Sequence, residues 1–580
     1  MMIKEKEMKK SYILLLLIIL SFGLMPVRAE NIADEWIKDQ VALQYSEKTS
    51  APGRILADFS PFSMELDIFE RDKEAIYDLM LHGRDAHDII ELYRMGVYEG
   101  EFSWKNPFPC GSSSFSAPFS QKATVRDITL YYLVKMRRSQ EMGMNIILSV
   151  NPDALEEAEY WDNRREEAGN LPLFGLPVAV KANIGTADRQ PTSAGAIALQ
   201  NSLCIRDAFI IKRIKESGGI ILAKTNLSEW ANFMSENSAN GFSALGGQTR
   251  NPYGRFDVGG SSSGSAAAVA MGLVPLALGT ETSGSIVYPA SQNSVVGLKP
   301  SLGLVSRDCI IPIAEAQDTA GPITVSVRDA GLLLSVIAGF DGADPATALC
   351  SDKKEDYNLE RLHEKPLKGL RFGLVSSSLM RRYYYRAEEA RIQMRIAGEL
   401  SRAGAVVVFV EMDEAVYSRL DVLSVFHYQF REGVNRYLEK CSRGGSCRSV
   451  AEIIRFNSQK PGERMPLGQE LLIASENNAS AEDEIEMLAF SNRRESRQVI
   501  DSLLKDNELD ILFSLSNHLS YIYASAGYPA LCVPAGYKSN GEPVGVTFTC
   551  SLGDERLLIS AGWGYEQATG HRKKAEPYSY

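Results

Sequence analysis

The sequence predicts an α/β protein, in which a mixed β-sheet is covered by helices on both faces and preceded by an N-terminal helical extension. The segment "LFGLPVAVKANI" (residues 173–184) is an apolar run that ends in a charge, which is typical of a buried strand. The segment "AFIIKRIKESGGIILAKTN" (208–226) has helical spacing, a Gly-Gly stop and a second apolar run. Near the C-terminus, further strands are predicted at "DILFSLS", "PALCVPAGY" and "PVGVTFTC". Strands that alternate with helices indicate a sheet with helices on both faces.

Residues 1–29 predict a secretory signal peptide. Lysines dominate "MMIKEKEMKK", a 13-residue apolar run extends from Ile13 to Met25, and the small residues Val27 and Ala29 precede a cut expected after Ala29. The apolar run is shorter than the ~20 residues of a membrane helix, so an uncleaved anchor is the less favoured alternative. The mature protein is therefore expected to be secreted or periplasmic, without stable membrane insertion.

Two further regions follow the signal segment. Residues 30–120 are expected to form the helical extension, because "DAHDIIELYRMGVYEGE" (85–101) has apolar residues at helical spacing before a Pro- and Ser-rich break. The main domain is expected over 121–580, and it begins with an amphipathic helix in "ATVRDITLYYLVKMRRSQEMG".

The composition argues against a nucleic-acid partner. The formal net charge is −11, and removal of the first 29 residues, with five basic and two acidic side chains, leaves about −14. Nucleic-acid binding needs a basic face, so no such partner is predicted.

Eight cysteines are scattered through the chain. Cys441 and Cys447, in "CSRGGSC", could close a short loop, while buried free thiols are the alternative for the others. No CxxC motif or His/Cys cluster predicts a metal site, and no cofactor is expected.

A serine nucleophile needs a base, and histidine is the usual one. Gly260 to Gly264 form a G-x-S-x-G, but the preceding "NPYGRFDV" is not the apolar strand that a nucleophile elbow requires. The histidines that follow it in the chain do not lie in segments prepared for such a role: His363, His427, His518 and His571.

Lysine is the second kind of base, provided that burial lowers its pKa from ~10.4 towards neutrality. Lys181 ends the apolar run Leu176–Val180, as such a base would, although a strand-end lysine that reaches solvent is the alternative. A separate S-x-x-K, from Ser351 to Lys354, lies among solvated charges and is rejected.

The glycine-serine loop "GGSSSGS" (259–265) opens an apolar helix. Its backbone N–H groups could bind an anion, but the lysine of a phosphate loop is absent. A plain linker would not lead at once into an apolar helix. Three elements therefore stand out, namely a lysine that ends an apolar segment, a serine loop, and Ser283 with Ser285 in the glycine-rich "GTETSGSIVYPA" (279–290).

These segments together resemble the amidase signature family, and its peptide-amidase branch in particular. "GLPVAVKANI" resembles the family's lysine segment, "GGSSSGSAAAVA" its glycine-serine signature and "LGTETSGSIVYPA" its nucleophile segment. "AGYPALCVPAGY" with "PVGVTF" resembles the C-terminal core. The resemblance implies the amidase signature fold, with an amidase domain over 121–580 and a signature core at about 170–310.

The resemblance also implies a Ser-cisSer-Lys triad. Ser285 corresponds to the nucleophile, Ser261, 24 residues earlier, to the bridging serine after a cis peptide, and Lys181 to the base. Ser262 would support the lysine by a hydrogen bond. The family's oxyanion hole corresponds to the backbone N–H groups of Thr282, Ser283, Gly284 and Ser285.

Three residues depart from the common family pattern. Glu281 stands where Asp is common, which suits the peptide-amidase branch, and Ser263 replaces a common Gly. Ala182 replaces a common Asp after the lysine, which leaves the support of Lys181 on that side unexplained.

The expected function is that of an exported amidohydrolase that cleaves a carboxamide C–N bond through an acyl-enzyme, without cofactor or metal. The expected partner is a small-molecule or peptide amide, and a homodimer is compatible with this prediction. The alternative is a catalytically weak protein that binds amides or carboxylates on the same fold.

Overall fold

The structure is a computed structural model, and it describes residue 44 and residues 57–81, 84–95, 97–105, 114–122, 124–350, 357, 366–383 and 387–575. The predicted signal segment and its cut after Ala29 lie outside these ranges. Within them, no helix is long and apolar enough to cross a membrane.

The described ranges contain helices and strands in alternation. The helices are α1 (Ser63–Asp72), α2 (Glu74–Leu81), α3 (Ala86–Met95), α4 (Val125–Glu141), α5 (Ala154–Asp162), α6 (Phe209–Glu216), α7 (Ser263–Ala270), α8 (Val287–Gln292), α9 (Val327–Ile337), α10 (Ser378–Tyr383), α11 (Ala387–Arg402), α12 (Val416–Arg419), α13 (Val422–Lys440), α14 (Val450–Ser458), α15 (Pro461–Arg464), α16 (Glu470–Glu476), α17 (Glu482–Asp506), α18 (Ser520–Ala526) and α19 (Glu555–Thr569). The strands are β1 (Val97–Lys105), β2 (Ser114–Lys122), β3 (Ile147–Val150), β4 (Pro177–Lys181), β5 (Leu203–Cys204), β6 (Ile220–Thr225), β7 (Phe242–Ser243), β8 (Gly247–Gln248), β9 (Leu276–Glu281), β10 (Val296–Lys299), β11 (Thr319–Thr324), β12 (Arg371–Ser376), β13 (Val406–Glu411), β14 (Ser442–Arg443), β15 (Ile511–Leu515), β16 (Ala530–Tyr537) and β17 (Pro543–Thr549).

Eleven of these strands form one mixed sheet, in the order β13-β12-β15-β17-β16-β10-β11-β9-β4-β6-β3. β4 lies parallel to both of its neighbours, β6 and β9, whereas β10 is antiparallel to β11 and β16. Helices cover both faces, which confirms the predicted fold class. The strands predicted at the C-terminus are present as β15, β16 and β17.

The N-terminal extension is only partly helical. α3 ends at Met95, and β1 and β2 pair as an antiparallel hairpin in full register from Val97↔Lys122 to Lys105↔Ser114. The prediction of helices alone is therefore wrong over these two strands. The physical reason is visible in "VYEGEFSWK", where apolar and polar residues alternate with the period of two that favours a strand.

Helices α1 and α2 are fixed to the main domain through the acidic side chain of Asp127 at the start of α4. Lys73 Nζ donates to this carboxylate at 2.8 and 2.9 Å, and Tyr77 OH donates to it at 3.0 Å. Asp127 and Tyr77 are buried, so these bonds satisfy polar groups that would otherwise be costly to bury.

The sheet brings the predicted site segments to one edge. β4 and β9 are parallel neighbours, with Val180 opposite Leu278, so both strands end at the same side of the sheet. Lys181 ends β4, while β9 runs into the turn that contains Ser285. The loop before α7 reaches the same place, because Ser261 Oγ in this loop lies 2.8 Å from Lys181 Nζ.

Candidate active site

Lys181 is fully buried at the end of β4. Its amine lies 2.8 Å from Ser261 Oγ, 2.8 Å from Thr280 Oγ1 and 3.1 Å from the Thr280 carbonyl oxygen. The alternative of a strand-end lysine that reaches solvent is therefore wrong. Two of the three partners are hydroxyls, which can donate a hydrogen bond to a neutral amine as well as accept one from it.

Burial lowers the pKa of Lys181 to about 7, although the carboxylates of Asp318 and Glu281 act in the opposite direction. An amine with such a pKa is neutral in a large fraction of molecules near neutral pH and can accept a proton. Asp318 and Glu281 therefore supply negative charge near Lys181, whereas Ala182, at the position where Asp is common in the family, supplies none. Ala182 is itself buried, and its backbone bonds Thr225 and the turn at Ser193.

Ser261 lies in the loop that enters α7, after a cis peptide bond with Gly260, so the cis bond expected from the resemblance is confirmed. Position 260 has no room for a side chain, because a Cβ there would lie 2.6 Å from Asn240 Oδ1 and from Ser228 Oγ. The Ser261 carbonyl accepts a hydrogen bond from Ser228 N at 3.1 Å. These contacts fix the backbone that presents the Ser261 hydroxyl to Lys181.

Ser262 has a different role from the predicted one. Its hydroxyl donates to the Thr280 carbonyl at 3.1 Å and accepts from Thr280 N at 3.2 Å, and it has no hydrogen bond to Lys181 among the described residues. Its backbone N–H donates to the Ser285 carbonyl at 3.2 Å. Ser262 therefore joins the serine loop to the turn of Ser285 and supports the lysine only through Thr280.

Ser285 lies on the tight turn between β9 and α8. It is 9% exposed, whereas Lys181 and Ser261 are completely buried, so of the three side chains Ser285 has the most contact with solvent. Glu281 fixes this turn, since its Oε2 accepts from Ile286 N at 2.7 Å and from Val287 N at 3.1 Å. In the described part of the chain the Ser285 hydroxyl has no hydrogen-bond partner, which is common for a nucleophile without substrate.

The turn also presents free backbone donors. Among the described residues, no acceptor pairs with the N–H groups of Ser283, Gly284 and Ser285. Gly284 has a φ of +86°, a conformation that favours glycine, and a Cβ there would lie 3.1 Å from Asn517 Nδ2 and 3.2 Å from Ser520 Oγ. Adjacent unpaired N–H groups can bind the oxygen of a reacting carbonyl, as an oxyanion hole does.

Thr282 is anchored through its side chain. Its hydroxyl donates to Asp318 Oδ1 at 2.5 Å, and Asp318 Oδ2 accepts from Ile313 N at 2.8 Å and Ala314 N at 2.9 Å. Burial raises the pKa of Asp318 to about 6. This carboxylate thus ties the predicted oxyanion turn to the loop that precedes β11.

Sequence reasoning missed Thr280, Asp318 and Asn183. Asn183 Nδ2 donates to Thr280 Oγ1 at 3.1 Å and so orients the hydroxyl beside Lys181. Asn183 is close in sequence to Lys181, and Thr280 lies within the quoted glycine-rich segment, so both could have been suspected. Asp318 has no such local signal.

A cavity of about 640 Å³ adjoins these residues. Thr280, Thr282 and Asp318 are among the residues that line it, as are Arg436 and Tyr437 of α13. Such a volume is within the usual range for small-molecule sites.

Two of the histidines considered as a base have partners other than the site serines. His427 Nδ1 lies 2.9 Å from Ser475 Oγ, and His571 Nε2 lies 3.0 Å from Glu399 Oε1. Burial lowers the pKa of His427 to about 4 and that of His518 to about 3, so both have weak affinity for a proton. His363 and the rejected pair Ser351 and Lys354 lie outside the described residues.

The structure thus places a buried lysine amine within hydrogen-bond distance of a serine hydroxyl, beside a second serine on a neighbouring turn. A family model described as Amidase matches residues 127–517. The chain belongs to the amidase family and is an enzyme that hydrolyses amides.

Relatives and solved structures agree with this membership. An Arabidopsis thaliana protein named "Probable amidase" is 37% identical over 490 residues, which are 80% of this chain and 92% of the relative. The structure of an amidase family protein from Bacillus anthracis is 34% identical, with a TM-score of 0.81, and covers 90% of this chain and 99% of its own. The structure of native peptide amidase from Stenotrophomonas maltophilia is 40% identical, with a TM-score of 0.72, and covers 78% of this chain and 95% of its own.

Proposed function

We propose that this amidase acts through Ser285 as nucleophile, Ser261 as proton relay and Lys181 as base. One observation carries the proposal. The fully buried amine of Lys181, with a pKa of about 7, lies 2.8 Å from the hydroxyl of Ser261. The hydrogen bond from Ser262 N to the Ser285 carbonyl brings the relay loop and the nucleophile turn together.

In the proposed acylation, Ser285 Oγ forms a bond to the carbonyl carbon of the amide. The Ser285 proton passes to Ser261 and the Ser261 proton to Lys181, which becomes positively charged. The carbonyl oxygen becomes an oxyanion that accepts hydrogen bonds from backbone N–H groups of the turn 282–285, and one such donor contributes about 10²–10³ in rate. The C–N bond then breaks, and the proton returns through Ser261 to the leaving nitrogen.

In the proposed deacylation, water replaces the departed amine. It attacks the acyl carbon while its proton moves through Ser261 to Lys181. The bond to Ser285 Oγ then breaks, the proton returns from Lys181 through Ser261 to Ser285 Oγ, and the acid product leaves. Lysine and both serines end each turnover in their starting protonation states, so the cycle needs no cofactor.

We propose a small-molecule or peptide amide as substrate, with a peptide's C-terminal amide as the first choice. The support is the 40% identity with a protein named peptide amidase across 78% of this chain. A cavity of small-molecule size that is lined by Thr280 and Thr282 is further support.

The test is a panel of C-terminal peptide amides, aliphatic amides and aryl amides, with the release of ammonia or amine as the readout. The wild type should release product from at least one class and should react with a fluorophosphonate at Ser285, as intact mass and peptide mapping would show. Labelling at another serine would contradict the assignment. Binding of amides without release of product would favour the binding protein instead.

We also propose that the chain is exported and cut after Ala29, with the charge and apolar pattern of residues 1–29 as support. N-terminal sequencing of protein from the cell envelope should give a first residue near Glu30. An Ala29→Arg variant, with a bulky charge at the cut, should keep the segment. A wild-type protein that begins at Met1 would contradict the cut.

A further inference from the structure

Three cysteines that are distant in sequence meet beside the cavity described above. Cys204 lies in β5, Cys309 in the loop after β10, and Cys441 directly after α13. All three are buried, and no disulfide joins the six cysteines whose side chains the structure describes. Cys309 Sγ lies 2.8 Å from Cys441 Sγ, although 132 positions separate the two residues.

Backbone hydrogen bonds keep this contact in place. The Cys309 carbonyl accepts from Gly185 N at 2.9 Å, and the Cys441 carbonyl accepts from Ile205 N at 2.8 Å. β14, which starts next to Cys441, pairs with β5, which contains Cys204. The backbones at Cys309 and Cys441 are therefore both hydrogen-bonded to the segment 185–205. The contact between the two sulfur atoms thus follows from the fold of the backbone and not from the rotation of one side chain.

A metal ion is a poor explanation for this cluster. Asp308 lies near both sulfur atoms and could complete a ligand set, but its carboxylate is in a bidentate ion pair with Arg206. Tetrahedral zinc with bonds of about 2.3 Å would keep two sulfur ligands about 3.8 Å apart. The observed separation of 2.8 Å is shorter, and the guanidinium of Arg206 disfavours a cation nearby.

The local pair predicted from the sequence is also not supported. Cys447 Sγ lies 3.9 Å from the hydroxyl of its neighbour Ser446, and Cys441 Sγ contacts Cys309 instead.

We propose that Cys309 and Cys441 form an intramolecular disulfide. A thiolate of one cysteine attacks a small disulfide donor such as glutathione disulfide, which gives a mixed disulfide and one glutathione. The second cysteine, as thiolate, attacks the mixed disulfide and releases the other glutathione. The protein loses two protons and two electrons, and the donor gains them as two thiols.

The bond would secure the wall of the cavity. Cys309 lies two residues before Ile311, whose N–H donates to the Asn183 carbonyl at 2.8 Å and whose carbonyl accepts from Asn183 Nδ2 at 3.1 Å. Cys441 directly follows α13, and both cysteines are among the residues that line the cavity. A covalent link between them therefore joins α13 to the loop beside Lys181 and closes a long segment of chain, the case in which a disulfide constrains the unfolded chain most.

The experiment uses the full chain, purified in a buffer that contains glutathione disulfide. Free thiols are blocked with N-ethylmaleimide in denaturant, and the digested protein is mapped by mass spectrometry. We expect one cross-linked peptide pair that contains Cys309 and Cys441, lighter by two hydrogens than the two thiol peptides together. In a parallel measurement, a phosphine reductant should lower the midpoint of thermal unfolding by about 3 °C.

Variants separate this bond from general damage. Cys309→Ser and Cys441→Ser should each abolish the response of the midpoint to reductant, while Cys447→Ser, a matched change of another buried cysteine, should keep it. N-ethylmaleimide on both Cys309 and Cys441 of the wild type would overturn the proposal. So would a bond from Cys441 to Cys447, a bond from Cys309 to Cys204, or one zinc per chain that Cys309→Ser removes. The peptide map needs no variant, so poor folding of either serine variant leaves the proposal testable.

Discussion

The ends of β4 and β10 offer a comparison of two buried lysines in one sheet. Lys181 and Lys299 are each the last residue of a strand, and both are completely buried. Burial lowers the pKa of Lys181 to about 7 and that of Lys299 to about 8. Burial and position in a strand therefore do not separate a candidate base from a structural lysine.

The hydrogen-bond partners do separate them. Lys299 Nζ donates to the carbonyl oxygens of Pro300 at 3.0 Å and Tyr528 at 2.9 Å. Lys181 Nζ contacts the hydroxyls of Ser261 and Thr280. A carbonyl can only accept, so it cannot pass a proton to an amine, whereas a hydroxyl can do so. Lys224 is a third buried lysine, and burial lowers its pKa to about 8. It contacts both a carbonyl, that of Ile184, and a hydroxyl, that of Thr192 at 3.2 Å, so its partners are intermediate between those of Lys299 and Lys181.

The largest expected effect is at the proposed nucleophile. Ser285→Ala should lower kcat/KM for the best amide by at least about 10⁴-fold, because no covalent intermediate can form. Ser283→Ala, two residues away in the same turn, keeps its backbone N–H and should lose less than about tenfold. Steady-state kinetics on both variants decide the assignment, and equal losses would contradict it.

Matched substitution of the two lysines tests the comparison directly. Lys181→Met should lower kcat/KM by about 10³-fold, since the relay then has no acceptor for its proton. Lys299→Met should lose less than about tenfold in activity, but should cost about 1–3 kcal/mol of stability by leaving buried carbonyls unpaired. Urea unfolding and amide hydrolysis, measured on both proteins, supply the two readouts. Comparable losses of activity in Lys181→Met and Lys299→Met would contradict the distinction between a base and a structural lysine.

The pH dependence follows from the neutral form of Lys181. Below a pKa of about 7 the neutral fraction falls about tenfold per pH unit, so kcat/KM should rise with pH up to that value and then level off. Lys299→Met and His427→Gln should keep this acidic limb. Lys181→Arg should be inactive at every pH, because arginine stays protonated in proteins. An acidic limb that disappears in a histidine variant would show that another group is the base.

The smallest effect is expected at Thr282. Thr282→Val removes the hydroxyl that bonds Asp318 and should lower kcat about tenfold with little change in KM, because the oxyanion turn loses an anchor. Thr319→Val removes a hydroxyl that, among the described residues, bonds the neighbouring Ala320 carbonyl, and this variant should lose less than about threefold in kcat. An unchanged kcat in Thr282→Val would mean that the turn is fixed without Asp318.

Short-range patterns in the sequence were enough to predict the α/β class and the end of β4 at Lys181, whereas the contact between Lys181 and Ser261 was implied by the family resemblance. A strand that ends in a charge and a glycine-serine loop that starts a helix are local signals, and the family resemblance joined them. The hairpin β1–β2 was mistaken for helix because the preceding residues to Met95 do have helical spacing.

Only the tertiary structure decided what surrounds these residues. The sequence marks Lys181 as buried, yet Lys299 and Lys224 are equally buried, and the difference lies in partners that the fold brings from distant segments. Asp318 reaches Thr282 across 36 residues, and Cys309 meets Cys441 across 132. The pKa of a side chain and the pairing of a thiol depend on neighbours in space. Those neighbours are distant in sequence, so only the tertiary structure shows the environment of Lys181 and the contact of Cys309.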